Sequence, residues 1–146
     1  MAEETALGRK VNGGGPVRRE PPLVAAFLAL ARRDSVQALR RMLALTDTVY
    51  DDYLLRFTRA NLLAAAGRYA EAAEVLERPS VIGLPIGSDA LRMLQRGRVA
   101  ERLGRREVAL ESYTWVANVW RTADPELQPY VTEARAGLAR LTAERP

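Results

Sequence analysis

An internal repeat restricts this chain more than any other feature. Aligning the breaks at Arg33, Gly67 and Gly104 places Ala26, Ala60 and Gly97 at one position and Ala38, Ala72 and Ala109 at a second. Met42, Leu76 and Tyr113 then coincide at a third, four residues after those alanines. The first two units are offset by 34 residues and the next two by 37. Periods of this length belong to arrays of one small supersecondary unit. The order of small residue, break, small residue and large apolar residue is what a helical hairpin needs. Where two antiparallel helices cross near their turn, only small side chains let the axes approach to about 8 Å. A bulky residue one turn further on fills the space as the helices diverge. One hairpin cannot bury its apolar face alone, so neighbours stack. The competing arrangement is a plain bundle of six or seven helices with chance alanine spacing.

The punctuation between apolar segments predicts seven helices. The first runs from Pro22, where a proline's missing donor is harmless, to Arg33. Asp34 reads as an N-cap, with Gln37 closing a capping box, for a second helix to about Leu45. Thr46-Asp47-Thr48 breaks the pattern, and a third helix covers Asp52 to Ala66, ending at Gly67 as a left-handed C-cap. A fourth covers Tyr69 to Glu77 and stops before Pro79. Residues 79–88 read as the longest loop inside the array. Ser88 caps a fifth helix ending at Gly104, and a sixth continues to about Arg121. Asp124-Pro125-Glu126 supplies a cap, a first-turn proline and a first-turn acid for a seventh, reaching about Leu141. Residues 1–21, with Gly13-Gly14-Gly15 and no apolar periodicity, read as a flexible tail before a domain spanning 22–146. No alternating run bounded by turn signals argues for a strand.

The stretch from Asn61 to Leu76, with its turn Gly67-Arg68-Tyr69-Ala70-Glu71-Ala72, resembles the centre of a tetratricopeptide repeat. The stretch from Gly97 to Ala109 is similar, with Arg106 where that family usually has Tyr. The earliest unit has Arg33 in place of the turn glycine. The resemblance implies an all-α fold, with antiparallel hairpins stacked as a short right-handed solenoid. Its repeats would be about 22–46, 52–78 and 89–121, with a C-terminal capping helix at 125–142. Two departures stand out. Arg56 and Arg59 occupy places in the second unit where the family has large apolar residues, and Met93 and Arg96 occupy them in the third. A buried Arg is costly unless paired, so these helices are expected to be rotated or their Arg heads to snorkel to water.

Composition narrows the chemistry. The chain has no Cys and no His, which removes disulfides, thiolate zinc sites, Cys nucleophiles and imidazole bases. Acids such as Glu71 and Glu74 lie on helices with no nucleophile or metal-ligand partner around them. Gly13-Gly14-Gly15 lacks the Lys-Ser/Thr of a phosphate loop. No enzyme activity and no cofactor or metal are expected. The net charge is +4, and Lys10 is the single lysine among 22 basic residues. Abundant Arg and Ala with so little Lys fits GC-rich codons, and most predicted helices interleave Arg with acids. The run Arg92, Arg96, Arg98 is the exception. A nucleic-acid partner is therefore disfavoured, since a phosphate-gripping protein masses its basic residues on one stretch. The apolar stretch Leu23–Ala31 is far shorter than the roughly 20 residues a membrane span needs. Acids before it and Arg32-Arg33 after it argue against a signal peptide, so a cytoplasmic location is expected.

The resemblance also implies where binding would occur, because the first helix of each pair lines a concave groove in that family. Here the groove would present Phe27, then Leu54, Phe57 and Asn61, then Gln95, Arg98 and Arg102. Asn61 stands where one class of the family bonds peptide backbone, but Phe57 replaces the basic residue which that class needs one turn earlier. A mixture of Phe, Leu and Arg favours an apolar segment with some acidic character, either a peptide or a partner helix. The competing reading turns Phe57 into the core and leaves the face solvated. Tyr113, Val116 and Trp120 share a face expected to pack on Leu127, Tyr130, Val131, Ala134, Leu138 and Leu141. Trp115 points elsewhere and is expected to be an exposed anchor. The expected function is a scaffold or adaptor module that binds another protein, with homodimerisation or attachment to a larger assembly consistent with so short an array. The alternatives are a regulatory segment of a larger bacterial signalling or transcription regulator, whose C-terminal ends the stretch Trp120–Leu127 resembles, or a basic nucleic-acid-associated protein.

Overall fold

In a computed structural model of the chain, which describes residues 22–45, 53–78 and 89–143, the three breaks of the repeat close alike. Arg33, Gly67 and Gly104 all adopt left-handed backbone, with φ of 61°, 75° and 68°. The residue after each donates its N–H back five positions: Asp34 to Ala29 at 2.9 Å, Arg68 to Leu63 at 2.9 Å, Arg105 to Ala100 at 2.8 Å. Each left-handed residue bonds back three positions as well, which completes a Schellman closure that satisfies the ending helix's orphan carbonyls. The next helix starts at once. Ala38, Ala72 and Ala109 donate to the carbonyls of Asp34, Arg68 and Arg105, each at 3.0 Å. The equivalences seen in sequence therefore hold at the level of individual hydrogen bonds.

These turns join α1 (Pro22–Ala31) to α2 (Ser35–Leu43), α3 (Tyr53–Ala65) to α4 (Tyr69–Glu77), and α5 (Ala90–Arg102) to α6 (Arg106–Val119). The last helix is α7 (Gln128–Ala143), and no strand occurs among the described residues. The fold is all-α, with each helix packing chiefly on its neighbours in the chain and α3 also touching α5. Ala26, Ala38, Ala60, Ala72 and Ala109 are fully buried, as are Met42, Leu76 and Tyr113. Two cores result. The first joins α1 to α4 and extends to Val99 and Leu103 of α5. The second joins Met93, Leu94 and Ala100 of α5 to α6 and α7. The expected Tyr113–Val116–Trp120 face does meet α7: Val131, Ala134 and Leu141 are buried, and Trp120 lies 6.0 Å from Tyr130.

Several boundaries and contacts differ from expectation. The capping box at Asp34 is half-formed. Asp34 Oδ1 accepts from the Gln37 N–H at 2.9 Å, but the Asp34 N–H already belongs to Ala29, so Gln37 turns its side chain to Arg40. Helix α7 starts at Gln128 and not at Pro125, because Pro129 has no N–H to join the two turns into one ladder. The interval holds tight i→i+3 bonds instead, from Leu127 to Asp124 and from Gln128 to Pro125. Arg78 is extended, with ψ of 130°, the conformation a following proline imposes. The tail at 1–21, the break at Thr46-Asp47-Thr48, the loop at 79–88 and the cap Ser88 lie outside the described residues.

Arg56 and Arg59 do not snorkel. They are only 9 % and 8 % exposed, and each reaches a carbonyl at the end of another helix. Arg59 Nη2 donates to the carbonyl of Met42 at 3.0 Å, and Arg56 Nη1 to that of Arg78 at 3.3 Å. Arg92 Nη1 treats Leu76 the same way at 2.5 Å. Helix C-termini carry unsatisfied carbonyls and partial negative charge, so a guanidinium placed there replaces much of its lost hydration.

Candidate binding cleft

Each of α3 and α5 turns one stripe of side chains to a shared cleft. On α5 that stripe is Gln95, Arg98, Val99 and Arg102, and on α3 it is Asn61, Ala64 and Ala65, at spacings of three and four. With Tyr69 of α4, Tyr113 of α6, and Glu133 and Arg140 of α7, they line a cleft of about 830 Å³. Four of the groove residues expected from sequence, Asn61, Gln95, Arg98 and Arg102, are thus brought together. The other three are not. Phe27 is half-buried on the first core, Phe57 stacks on Tyr53 with centroids 6.0 Å apart, and Leu54 is exposed outside the cleft. Trp115 lies away from the cleft, half-buried against the second core, where it lines a separate shallow pocket with Arg96, Glu111 and Glu77.

The floor of the cleft is set by Tyr113. A β-carbon on Gly97 would lie 2.6 Å from one edge of its ring, and one on Gly137 would lie 2.5 Å from the other. Two glycines on α5 and α7 therefore hold the ring between bare backbones. Its hydroxyl donates to Glu101 Oε2 at 2.7 Å, and burial together with that charged acceptor pushes the phenol well above its ordinary range. Glu101 also accepts from Arg140 Nε and Nη2, both at 3.0 Å. Those arginine bonds, followed by the tyrosine hydroxyl, hold the Glu101 carboxyl below the usual range against the opposing effect of burial.

A second bridge spans α5 and α7. Arg98 donates from Nε and Nη2 to the two oxygens of Glu133 at 2.6 and 2.5 Å, which lowers the Glu133 carboxyl. Arg98 Nη1 bonds Gln95 Oε1 at 3.1 Å. Arg102 differs from both. Its guanidinium carbon sits 6.0 Å from the centre of the Tyr69 ring, and among the described residues no carboxylate lies within ion-pair distance of it. The cleft thus holds three guanidiniums and two ionised carboxylates. Glu133 and Arg140 are not among the site residues expected from sequence, which missed their reach across to α5. Their seven-residue spacing, set against Arg98 and Glu101 of opposite charge, was the available signal.

The arginine run on α5 is equally engaged. Arg92 pairs with Asp89 at 2.5 Å and Arg96 with Glu111 at 2.9 Å, so each member of the run faces its own acid. Among the described residues no cluster of three or more carboxylates is placed to hold a metal ion, and no helix is long and apolar enough to cross a membrane. No family model, curated protein or solved structure matches this chain.

Proposed function

We propose that the chain is a non-catalytic, tetratricopeptide-type interaction module. Its three hairpins form a short right-handed solenoid capped by α7, and its cleft takes a segment of another protein. The observation that carries this reading is the convergence of Asn61, Gln95, Arg98 and Arg102 on one open cleft. The amide of Asn61, which can bond a peptide backbone, sits there beside apolar Ala64, Ala65 and Val99, with cations at the rim and Gln95 bracing Arg98. Such a lining suits an extended or helical segment of mixed apolar and acidic character. Pairing of Arg92, Arg96 and Arg98 with acids argues against a phosphate-binding face, which needs cations left for the backbone.

The test is differential capture. Wild-type protein should enrich a partner that is lost with Asn61→Ala/Arg102→Glu and retained with Arg121→Glu, a charge reversal outside the cleft. Capture by all three alike would place the interface elsewhere. No specific partner with any of them would remove the reading.

A further inference from the structure

The two arginines that rim the cleft from α5 are in different states, and the difference assigns them different roles. Arg102 lines the cleft with an aromatic ring beneath it and, among the described residues, no carboxylate within ion-pair distance. Arg98 has the same access but is held in a two-point bond by Glu133, a side chain of the helix that follows the hairpins. Planar two-point pairing is the geometry with which a guanidinium recognises any carboxylate, whichever chain supplies it. The Arg98 and Glu133 side chains are 43 % and 39 % exposed, so water reaches the bond. An exposed pair of this kind is weakly held and exchanges easily. By contrast, Glu101 cannot leave its place without giving up both Arg140 and the buried Tyr113 hydroxyl.

Resting on the cleft as the binding site, we propose that Glu133 is a built-in competitor for the carboxylate of an incoming acidic segment. In the free protein Glu133 occupies Arg98. An acidic side chain of the partner docks first on Arg102, and a second then displaces Glu133 and takes over its two bonds to Arg98. Glu101 and Arg140 stay paired and keep α7 in position during the exchange. The displaced carboxylate remains nearby on α7, so neutral segments gain nothing from Arg98 and weakly acidic ones must outcompete an internal ligand. The device sets a threshold of acidity for entry.

The probe is a blocked octapeptide alternating Glu with Leu and Ser, compared with its Gln counterpart, titrated to millimolar concentration into isotope-labelled full-length protein. Nitrogen-edited spectra follow the Arg98 and Arg102 Nε–H signals and the amides of Asn61 and Gln95. The acidic peptide should move both arginine signals, and the Gln peptide should move neither. Glu133→Gln should bind the acidic peptide about two- to fivefold more tightly, the worth of one exposed ion pair. In an Arg98→Gln background the same change should give no gain. Equal shifts of Asn61 and Gln95 with both peptides, or no gain from Glu133→Gln in a protein whose melting is intact, would overturn the competitor and leave the cleft as a peptide site. No shift of any cleft signal with either peptide would overturn both.

Discussion

Met42 and Leu76 in the first core stand at the same repeat position as Tyr113 in the second, but the space opposite differs. Across from Met42 and Leu76 the repeat places Ala26 and Ala60, whereas across from Tyr113 it places Gly97. A larger side chain is matched by a smaller one, and the interior stays filled. The polar ties differ as well. Arg59 of α3 and Arg92 of α5 bond the carbonyls of Met42 and Leu76 at the edge of the first core, groups that do not titrate. The second core is tied to α7 by Arg106 on the Leu141 carbonyl and, in addition, through Glu101 and Glu133, which do titrate. One repeat plan therefore carries a half whose cross-helix arginines meet backbone acceptors and a half that adds titrating carboxylates, and both contribute side chains to the cleft.

The comparison breaks most severely if α7 is removed. Truncation after Ala123 uncovers Tyr113, Val116 and Trp120, an apolar patch large enough to drive association. We expect aggregation or a fall in melting temperature beyond that of any single substitution. Emission from the tryptophans, both of which lie against the second core, should shift to the red. An unchanged monomer melting as before would show that α7 does not complete the second core. A step smaller is Gly97→Ala, whose β-carbon meets the trapped ring and should lower stability by about 2–3 kcal/mol. Adding Tyr113→Leu converts the third hairpin to the Ala–Leu arrangement of the second and should recover part of that loss in urea unfolding. No recovery would mean the two positions are not exchangeable in size.

Acid should weaken the carboxylate ties to α7. Glu101 and Glu133 have folded-state pKa values below their unfolded ones, so the stability they contribute is present above about pH 4.3 and is lost as pH falls through the folded values. The effect stays below about 1 kcal/mol, because these groups are partly exposed. Melting curves of wild type and Glu101→Gln/Glu133→Gln should differ at pH 7 and converge towards pH 3. A gap that persists at pH 3 would assign the difference to packing. The smallest effect is expected in the first hairpin. Arg33 holds a φ of 61° that glycine adopts without penalty, so Arg33→Gly should add a few tenths to about 1 kcal/mol. A loss of stability there would mean that the chain's freedom before folding outweighs the strain.

What could be read from sequence was whatever the repeat states more than once. The break at Arg33, the buried alanines, the large residues beside them and the stripe on the last helix all follow from spacing and size. Single events were not legible. Gly137 answers Tyr113 from outside the repeat, so no equivalent position points to it. Arg56 and Arg59 looked misplaced because their acceptors are backbone carbonyls, which every residue has and no pattern marks. The start of α7 turned on a missing donor at Pro129 and not on the better-looking cap upstream. In the cleft, the stripe on α5 was predictable from helical periodicity. Leu54 and Phe57 lie further along α3 than the cleft extends, and Trp115 rests half-buried on a different face.

Helix α5 gives Val99, with its C-cap Leu103, to one core and Met93, Leu94 and Ala100 to the other. Neither half can open without stripping one flank of this helix, so there is no seam along which the molecule parts at low cost. Its amides should be the last to exchange with solvent, and the two halves should come apart as one event instead of as independent modules. A segment lodged against Arg98 and Arg102 would press on that same helix, and occupancy of the cleft would be felt as slower opening of the whole chain.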